Sequence, residues 1–527
     1  MKRLIYFSLL LLIVFSCKEP SKDPLAEDNK ELKIEEKLKL ALNEDYLSDL
    51  NLPKETFNFI LSYYTKTNFT PIWINDTMLK TTSDSVKKAI ENPILFGIPN
   101  NRHDFLKTNK KLNFLKEEIL LTAKLAHIAN DLENGIFSTD TLSLKSPKFI
   151  PVFKLRKHFE FSNFKIETIQ KKIILWGSSN FNYQLIAQGI YDYCKTFPID
   201  TLTYSFPKNS DDSIGKLLKI KIALINKGYL AKNDAEESLK MNESIKKFQV
   251  QNGLNPDGEL GDYTIKALQE STYKKLLRAA ITLDKWRTGS DYLKPYLRIN
   301  IPEYVLTYHS DSSTSIHKII VGQSETSTPE LKSVLTRLIL YPYWTVPQSI
   351  KTKEILPKLR VNPAYLANNH MKLFKNEIEI SPYSINWNTL KNIPYKIRQE
   401  YGPNNSLGII KFDFDNVYSV YIHDTPNKSL FNRDIRALSH GCMRCQNPLK
   451  LAKIILHNDF IYEPNRATDS TFLDTLMSVK EHKTLKIRKP VQVYIEYKSI
   501  TIKDNQLIFN IDIYKRDEKY IRLLLSR

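Results

Sequence analysis

Tyr421-Ile422-His423-Asp424-Thr425-Pro426 and, with fifteen residues intervening after His423, Ser439-His440-Gly441-Cys442-Met443-Arg444 are the stretches that decide how this 527-residue chain folds. The first ends a run from Val417 to Ile422 in which apolar residues alternate, the pattern of a half-buried strand. The same period of two recurs in Leu297, Ile299 and Ile301, in Val305 and Thr307, and across Ile316 to Val321, Val334 to Leu340, Ile409 to Phe414, Val491 to Tyr497 and Leu507 to Ile513. A mostly-β domain over 283–527 is therefore expected. A polar, helix-like segment at about 348–407 interrupts the strand series, and beside the strand that leads to His423 such an insertion suits a cap or lid.

Upstream the period changes. Ile214, Leu217, Leu218, Ile222 and Ile225 have helical spacing, and Gly228 is a C-terminal stop. A second helix carries Ile245 and Phe248, and the Pro256-Asp257-Gly258 turn and Gly261 precede a third with Ile265 and Leu268. These give a small three-helix module over 206–275. Residues 46–205 read as a helical scaffold, in which Leu112, Leu115, Ile119, Ala123 and Ala126 fall on one helix face. No catalytic cluster stands out there, and His103, His127 and His158 read as ordinary surface or core histidines. The fold class expected for the whole is α+β multidomain.

Met1-Lys2-Arg3 followed by the apolar run Leu4 to Phe15 has the form of a signal peptide over 1–17, too short to span a bilayer comfortably. Val14-Phe15-Ser16-Cys17 resembles a bacterial lipobox, which implies acylation of Cys17, a membrane anchor through the N-terminal lipid and a place in the cell envelope facing the periplasm. A plain secretory signal with a chance cysteine is the alternative. Residues 18–45, rich in Lys, Glu, Asp and Asn, read as a tether. The formal charge of +19 is spread along the chain, which argues against nucleic acid as a partner and suits anionic wall polymers, membrane surfaces or simply a solvated lysine-rich exterior. Cysteines 194, 442 and 445, an odd and sparse set, do not form a disulfide framework.

A cysteine nucleophile must be ionised, and its free pKa of roughly 8.5 calls for a neighbouring base or positive charge. His423 can take the Cys442 proton and pass protons to a leaving amine. Gly441 permits a sharp turn that aims the backbone N–H groups of His440, Gly441 and Cys442 at one point, an oxyanion hole beside Ser439. Arg444 suits a substrate carboxylate. Cys442-x-x-Cys445 could mark a thiol oxidoreductase or contribute to a zinc site, but the preceding His440-Gly441 and the upstream His423 favour acyl transfer, with no metal. Cysteines three apart on a turn can approach disulfide distance, so Cys445 is a candidate resolving thiol, with a buried packing role as the alternative.

These residues resemble the YkuD family of L,D-transpeptidases, whose motif is a histidine, a spacer of similar length and Ser/Thr-His-Gly-Cys-x-Arg. Tyr341-Pro342-Tyr343-Trp344-Thr345-Val346-Pro347, Ser349-Ile350, Gly402 to Gly408, Lys411-Phe412 and Asp512-Ile513-Tyr514 look like its long YcbB-type branch, although Tyr401 replaces a common proline and Cys445 a common aliphatic residue. Phe248-Gln249, Gly253-Leu254, Asp257-Gly258, Gly261 and Thr264 resemble a peptidoglycan-binding domain. The resemblance implies a helical scaffold, a peptidoglycan-binding module and a mostly-β catalytic domain with a helical capping insertion. It implies Cys442 as nucleophile, His423 as general base, Ser439, His440 and Gly441 as residues shaping the oxyanion site, and Tyr421, Thr425 and Arg444 toward substrate, with Asp424 and Thr425 orienting His423. The implied partners are peptidoglycan tetrapeptide stems, donor and acceptor, joined 3-to-3 through a thioester without a cofactor. Hydrolysis of the same thioester, as an L,D-carboxypeptidase or cross-link hydrolase, and an inactive wall-binding lipoprotein remain open.

Overall fold

Apolar residues three and four apart organise the N-terminal half and alternating ones the C-terminal half. The computed structural model describes residues 32–75, 78–106, 112–137, 168–206, 213–234, 238–288, 292–465 and 470–526. The expected signal peptide, Cys17 and His158 lie outside the described residues.

The chain forms two units, one drawn from 1–92, 100–131 and 151–173, the other from 93–99, 132–150 and 174–527. Helices α1 (Ile34–Ala41), α2 (Lys54–Lys66), α3 (Thr81–Glu91), most of α4 (Phe114–Asn134) and most of α5 (Ile169–Ile174) belong to the first. Leu115, Ile119, Ala123 and Ala126 of α4 are all buried, as their spacing predicts. Buried Glu118 accepts from Tyr64 Oη (2.6 Å) and from the N–H groups of Ile72 (2.7 Å) and Trp73 (2.8 Å), which fixes the segment after α2. The stretch expected as a tether to residue 45 contains α1, whose Leu38 and Ala41 are fully buried.

In the second unit, α6 (Phe181–Thr196) precedes the three-helix module α7 (Ser213–Asn226), α8 (Ser238–Gln251) and α9 (Asp262–Gln269). Helix α7 buries Ile220, Ala223 and Leu224, while Ile214, Leu217, Leu218 and Ile222 of the expected stripe face solvent. Gly228, at φ 79°, ends the turn after α7. Gln249 closes the α8–α9 loop by donating to Asp257 Oδ1 (2.7 Å) and accepting from Gly258 N–H (2.9 Å). Helix α10 (Thr272–Thr288) runs continuously across the expected module boundary at 275.

The C-terminal half begins with β1 (Tyr296–Asn300), β2 (Val305–His309), β3 (Thr314–Gly322) and β4 (Leu331–Leu340). The insertion contributes β5 (Trp344–Thr345), β6 (Met371–Lys375), β7 (Ile378–Ile380) and β8 (Lys396–Gln399). Then come β9 (Ile410–Phe414), β10 (Ile422–His423), β11 (Ala437–Ser439), β12 (Met443–Cys445), β13 (Lys483–Glu496) and the hairpin β14 (Ile500–Lys503) and β15 (Gln506–Phe509). A nine-stranded sheet has the order β11-β3-β12-β10-β9-β4-β13-β1-β2, and an added β2–β3 pairing closes it into a barrel. Its core includes Leu306, Leu338, Phe412, Ile422, Met443 and Val493, and helix α11 (Pro448–Tyr462) adds Leu451 and Ile455.

Three expectations change. Of Val417 to Ile422 only Ile422 is in a strand, because the Asn416 side chain accepts from the N–H groups of Tyr418 and Val420 (both 3.1 Å) and turns the chain. The run Leu507 to Ile513 is a strand only as far as Phe509, and beyond it the Ile513 N–H turns back onto the Ile511 carbonyl (2.8 Å). The cap is not simply helical: helical turns over 348–361 are joined to a four-stranded sheet of order β5-β8-β6-β7. Asn376 and Glu377, at φ 52° and 63°, form the turn that joins β6 to β7.

Candidate active site

Strand β10 lies between β9 and β12, with His423 opposite Lys411 on one side and Arg444 on the other. His423 is buried, and its Nδ1 lies 2.5 Å from the carbonyl oxygen of Asp424. A carbonyl only accepts, so Nδ1 carries the proton and Nε2 holds the lone pair a general base needs. Burial, with the nearby Arg444 charge, pushes the imidazole pKa down to about 3, so the ring is neutral at neutral pH. Asp424 thus orients His423 through its backbone. Its carboxylate instead accepts from Ile409 N–H (3.1 Å) and pairs with Lys428, and it fills the space beside Gly408, where a Cβ would meet Asp424 Oδ2.

Cys442 follows Gly441, whose φ of 112° suits glycine. Ser439 pins the turn, its hydroxyl donating to the Cys442 carbonyl (2.6 Å) and accepting from Gly441 N–H (3.2 Å). Thr328 braces it from outside, donating to the Gly441 carbonyl (2.8 Å) while accepting from Gly322 N–H (2.9 Å). Tyr514 donates to the Gly322 carbonyl (2.5 Å) and accepts from Thr328 N–H (3.2 Å). Burial raises the Cys442 thiol pKa, opposed by the Tyr421 N–H and hydroxyl and by the charges of Lys411 and Arg444. The thiol therefore needs a base to ionise it, and neutral His423 on the neighbouring strand is suited to that work.

Arg444 is partly exposed, and among the described residues no carboxylate pairs with it. His440 reaches the cap instead: its Nε2 lies 2.6 Å from Glu354 Oε1, with both side chains exposed. Tyr421 stands against the Cys442 thiol, its ring 5.7 Å from that of His423.

Three expected roles are corrected. Gly441 N–H is bonded to Ser439, so Gly441 supplies the backbone conformation rather than an oxyanion donor. Thr425 is 2% exposed and its hydroxyl accepts from Asn427 N–H (3.2 Å), a turn-holding role rather than a substrate contact. Cys445 is fully buried with Met443 in the barrel core, while Arg444 between them faces the other way, so strand alternation directs Cys445 away from the site. Both Cys442 and Cys445 are free thiols. Sequence reading missed Thr328 and Glu354, and it noted Tyr514 only within a motif without its bracing role, because these contacts join residues distant in the chain.

Residues 294–468 match the family model described as "L,D-transpeptidase catalytic domain", and residues 216–268 match "Putative peptidoglycan binding domain". A curated protein of Haemophilus influenzae named "Putative L,D-transpeptidase" is 31% identical over 224 residues, which cover 42% of this chain and 44% of that protein. The chain thus matches less than half the length of that relative.

Proposed function

We propose that this chain, which carries an L,D-transpeptidase catalytic domain and a peptidoglycan-binding domain, forms 3-to-3 peptidoglycan cross-links in the cell envelope through a thioester on Cys442. The observation that carries the reading is the placement of neutral His423 and of an Arg444 without a carboxylate partner on paired strands, with Cys442 immediately before one of them. His423 Nε2 removes the thiol proton, and the Cys442 sulfur attacks the carbonyl of the third residue of a donor tetrapeptide stem. The C–N bond to the terminal D-alanine breaks, and His423 returns the proton to the departing amine. The side-chain amine of an acceptor stem then attacks the thioester, a new amide forms and the Cys442 thiol is restored. Arg444 holds a stem carboxylate. An N-terminal lipid on Cys17 would keep the enzyme at a membrane surface.

Mass spectrometry of products formed from purified tetrapeptide stems tests this reading. Wild-type protein should give dimers and D-alanine, and Cys442→Ala neither. Release of D-alanine without dimers would instead identify a carboxypeptidase.

A further inference from the structure

A cavity of about 670 Å³ among the described residues does not include Cys442. It lies where α6, the three-helix module and the β14–β15 hairpin meet, all within the second unit. Tyr193, Phe197 and Tyr229 form one side, their rings stacked in sequence with centroids 4.7 Å apart at each step. Val250 and Leu507 extend the apolar lining, and Gln251 ties the module to the hairpin by donating to the Leu507 carbonyl. Asp192, Thr196, Lys247, Asn505 and Gln506 supply polar groups.

We propose that this groove binds the glycan strand of peptidoglycan, an inference that rests on the wall-polymer reading above. An amino-sugar chain presents apolar C–H faces and acetamide methyls together with hydroxyl and amide groups, and a mostly apolar cavity with a few placed polar groups matches that mixture. One acid and one base beside neutral hydroxyl and amide groups do not make a carboxylate- or phosphate-binding cluster, which favours sugar over stem peptide or anionic polymer. Tyr229, Lys247, Val250 and Gln251 fall within the segment matched to a peptidoglycan-binding domain, whereas α6 and the hairpin lie outside it, so the site needs all three elements.

Binding of stem-free glycan strands to the full chain, measured by calorimetry, tests the proposal. Thr196→Trp fills the groove and Val250→Glu charges its apolar wall, and neither touches the catalytic residues. Both should weaken glycan binding at least tenfold while leaving transfer between soluble tetrapeptides and thermal melting unchanged. Wild-type affinity in either variant, or failure of the wild-type chain to bind stem-free strands, would overturn it. Glycan binding without peptide transfer by the wild-type chain would sink the enzymatic reading and leave the groove standing.

Discussion

Two buried histidines, one in each unit, are both held neutral with pKa values pushed down to about 3, mainly by burial and then by a neighbouring cationic or ionisable group, His103 for His127 and Arg444 for His423. His127 meets Thr56 Oγ1 at 2.8 Å, and beside it Asp131 is claimed by Arg102 and His103, each at 3.0 Å. Around His423 the polar groups do not cancel in this way: Cys442 is a free thiol and Arg444 has no carboxylate partner among the described residues. A depressed pKa alone therefore does not mark a catalytic site. What separates the two regions is reactive capacity left over after the internal bonds are made.

The largest effect separates the two histidines directly. On the proposed mechanism His423→Ala and Cys442→Ala should each lower kcat by about 10³-fold or more, with the double variant no worse, as expected of two groups serving one step. His127→Ala should destabilise the first unit and leave kcat of the folded enzyme within about twofold. Steady-state kinetics beside thermal melts check both. Loss of chemistry in folded His127→Ala would break the comparison.

Arg444→Lys keeps the charge but loses the planar fork, and should cost roughly 10- to 100-fold in kcat/KM. Arg102→Lys should change melting without changing kcat/KM. Equal kinetic effects would remove the distinction between a satisfied and an unsatisfied guanidinium.

The pH dependence of stability should be shared by both regions. Because the folded-state pKa of each histidine lies below the unfolded value near 6.5, the unfolded chain binds more protons in acid. Stability from this source is complete above about pH 6.5 and falls as pH drops toward about 3, by up to about 1.4 kcal/mol per pH unit for each group. Denaturant melts of His127→Gln should show a shallower acid slope than wild type. An unchanged slope would mean that His127 is not held neutral by the fold.

The smallest effect concerns Cys445. Cys445→Val should change stability by less than about 1.5 kcal/mol and leave activity intact, and peptide mapping after mild peroxide should find no Cys442–Cys445 bridge in the wild-type chain. A bridge would require β12 to leave the barrel.

The barrel was legible because Leu297, Ile299, Leu306 and Phe412 alternate with residues of the other face, and the His423 and Cys442 motifs pointed to the candidate site. The cap's strands were not, because they are only two to five residues long and are held by pairings across the insertion, such as Lys372 with Arg398. The orientation of Cys445 was available in principle: Met443-Arg444-Cys445 alternates apolar, charged and apolar, the period of a strand rather than of the turn a disulfide needs. The brace from Thr328 and Tyr514 depends on closure of the barrel and could not be read locally.

Intact-mass spectrometry of the wild-type chain, quenched in acid during turnover of a tetrapeptide donor without acceptor, reads the thioester on Cys442 itself. The expected product is an adduct equal to the donor less its D-alanine, mapped to Cys442 and absent from Cys442→Ala. An adduct on another residue, or dimer formation by Cys442→Ala, would contradict it.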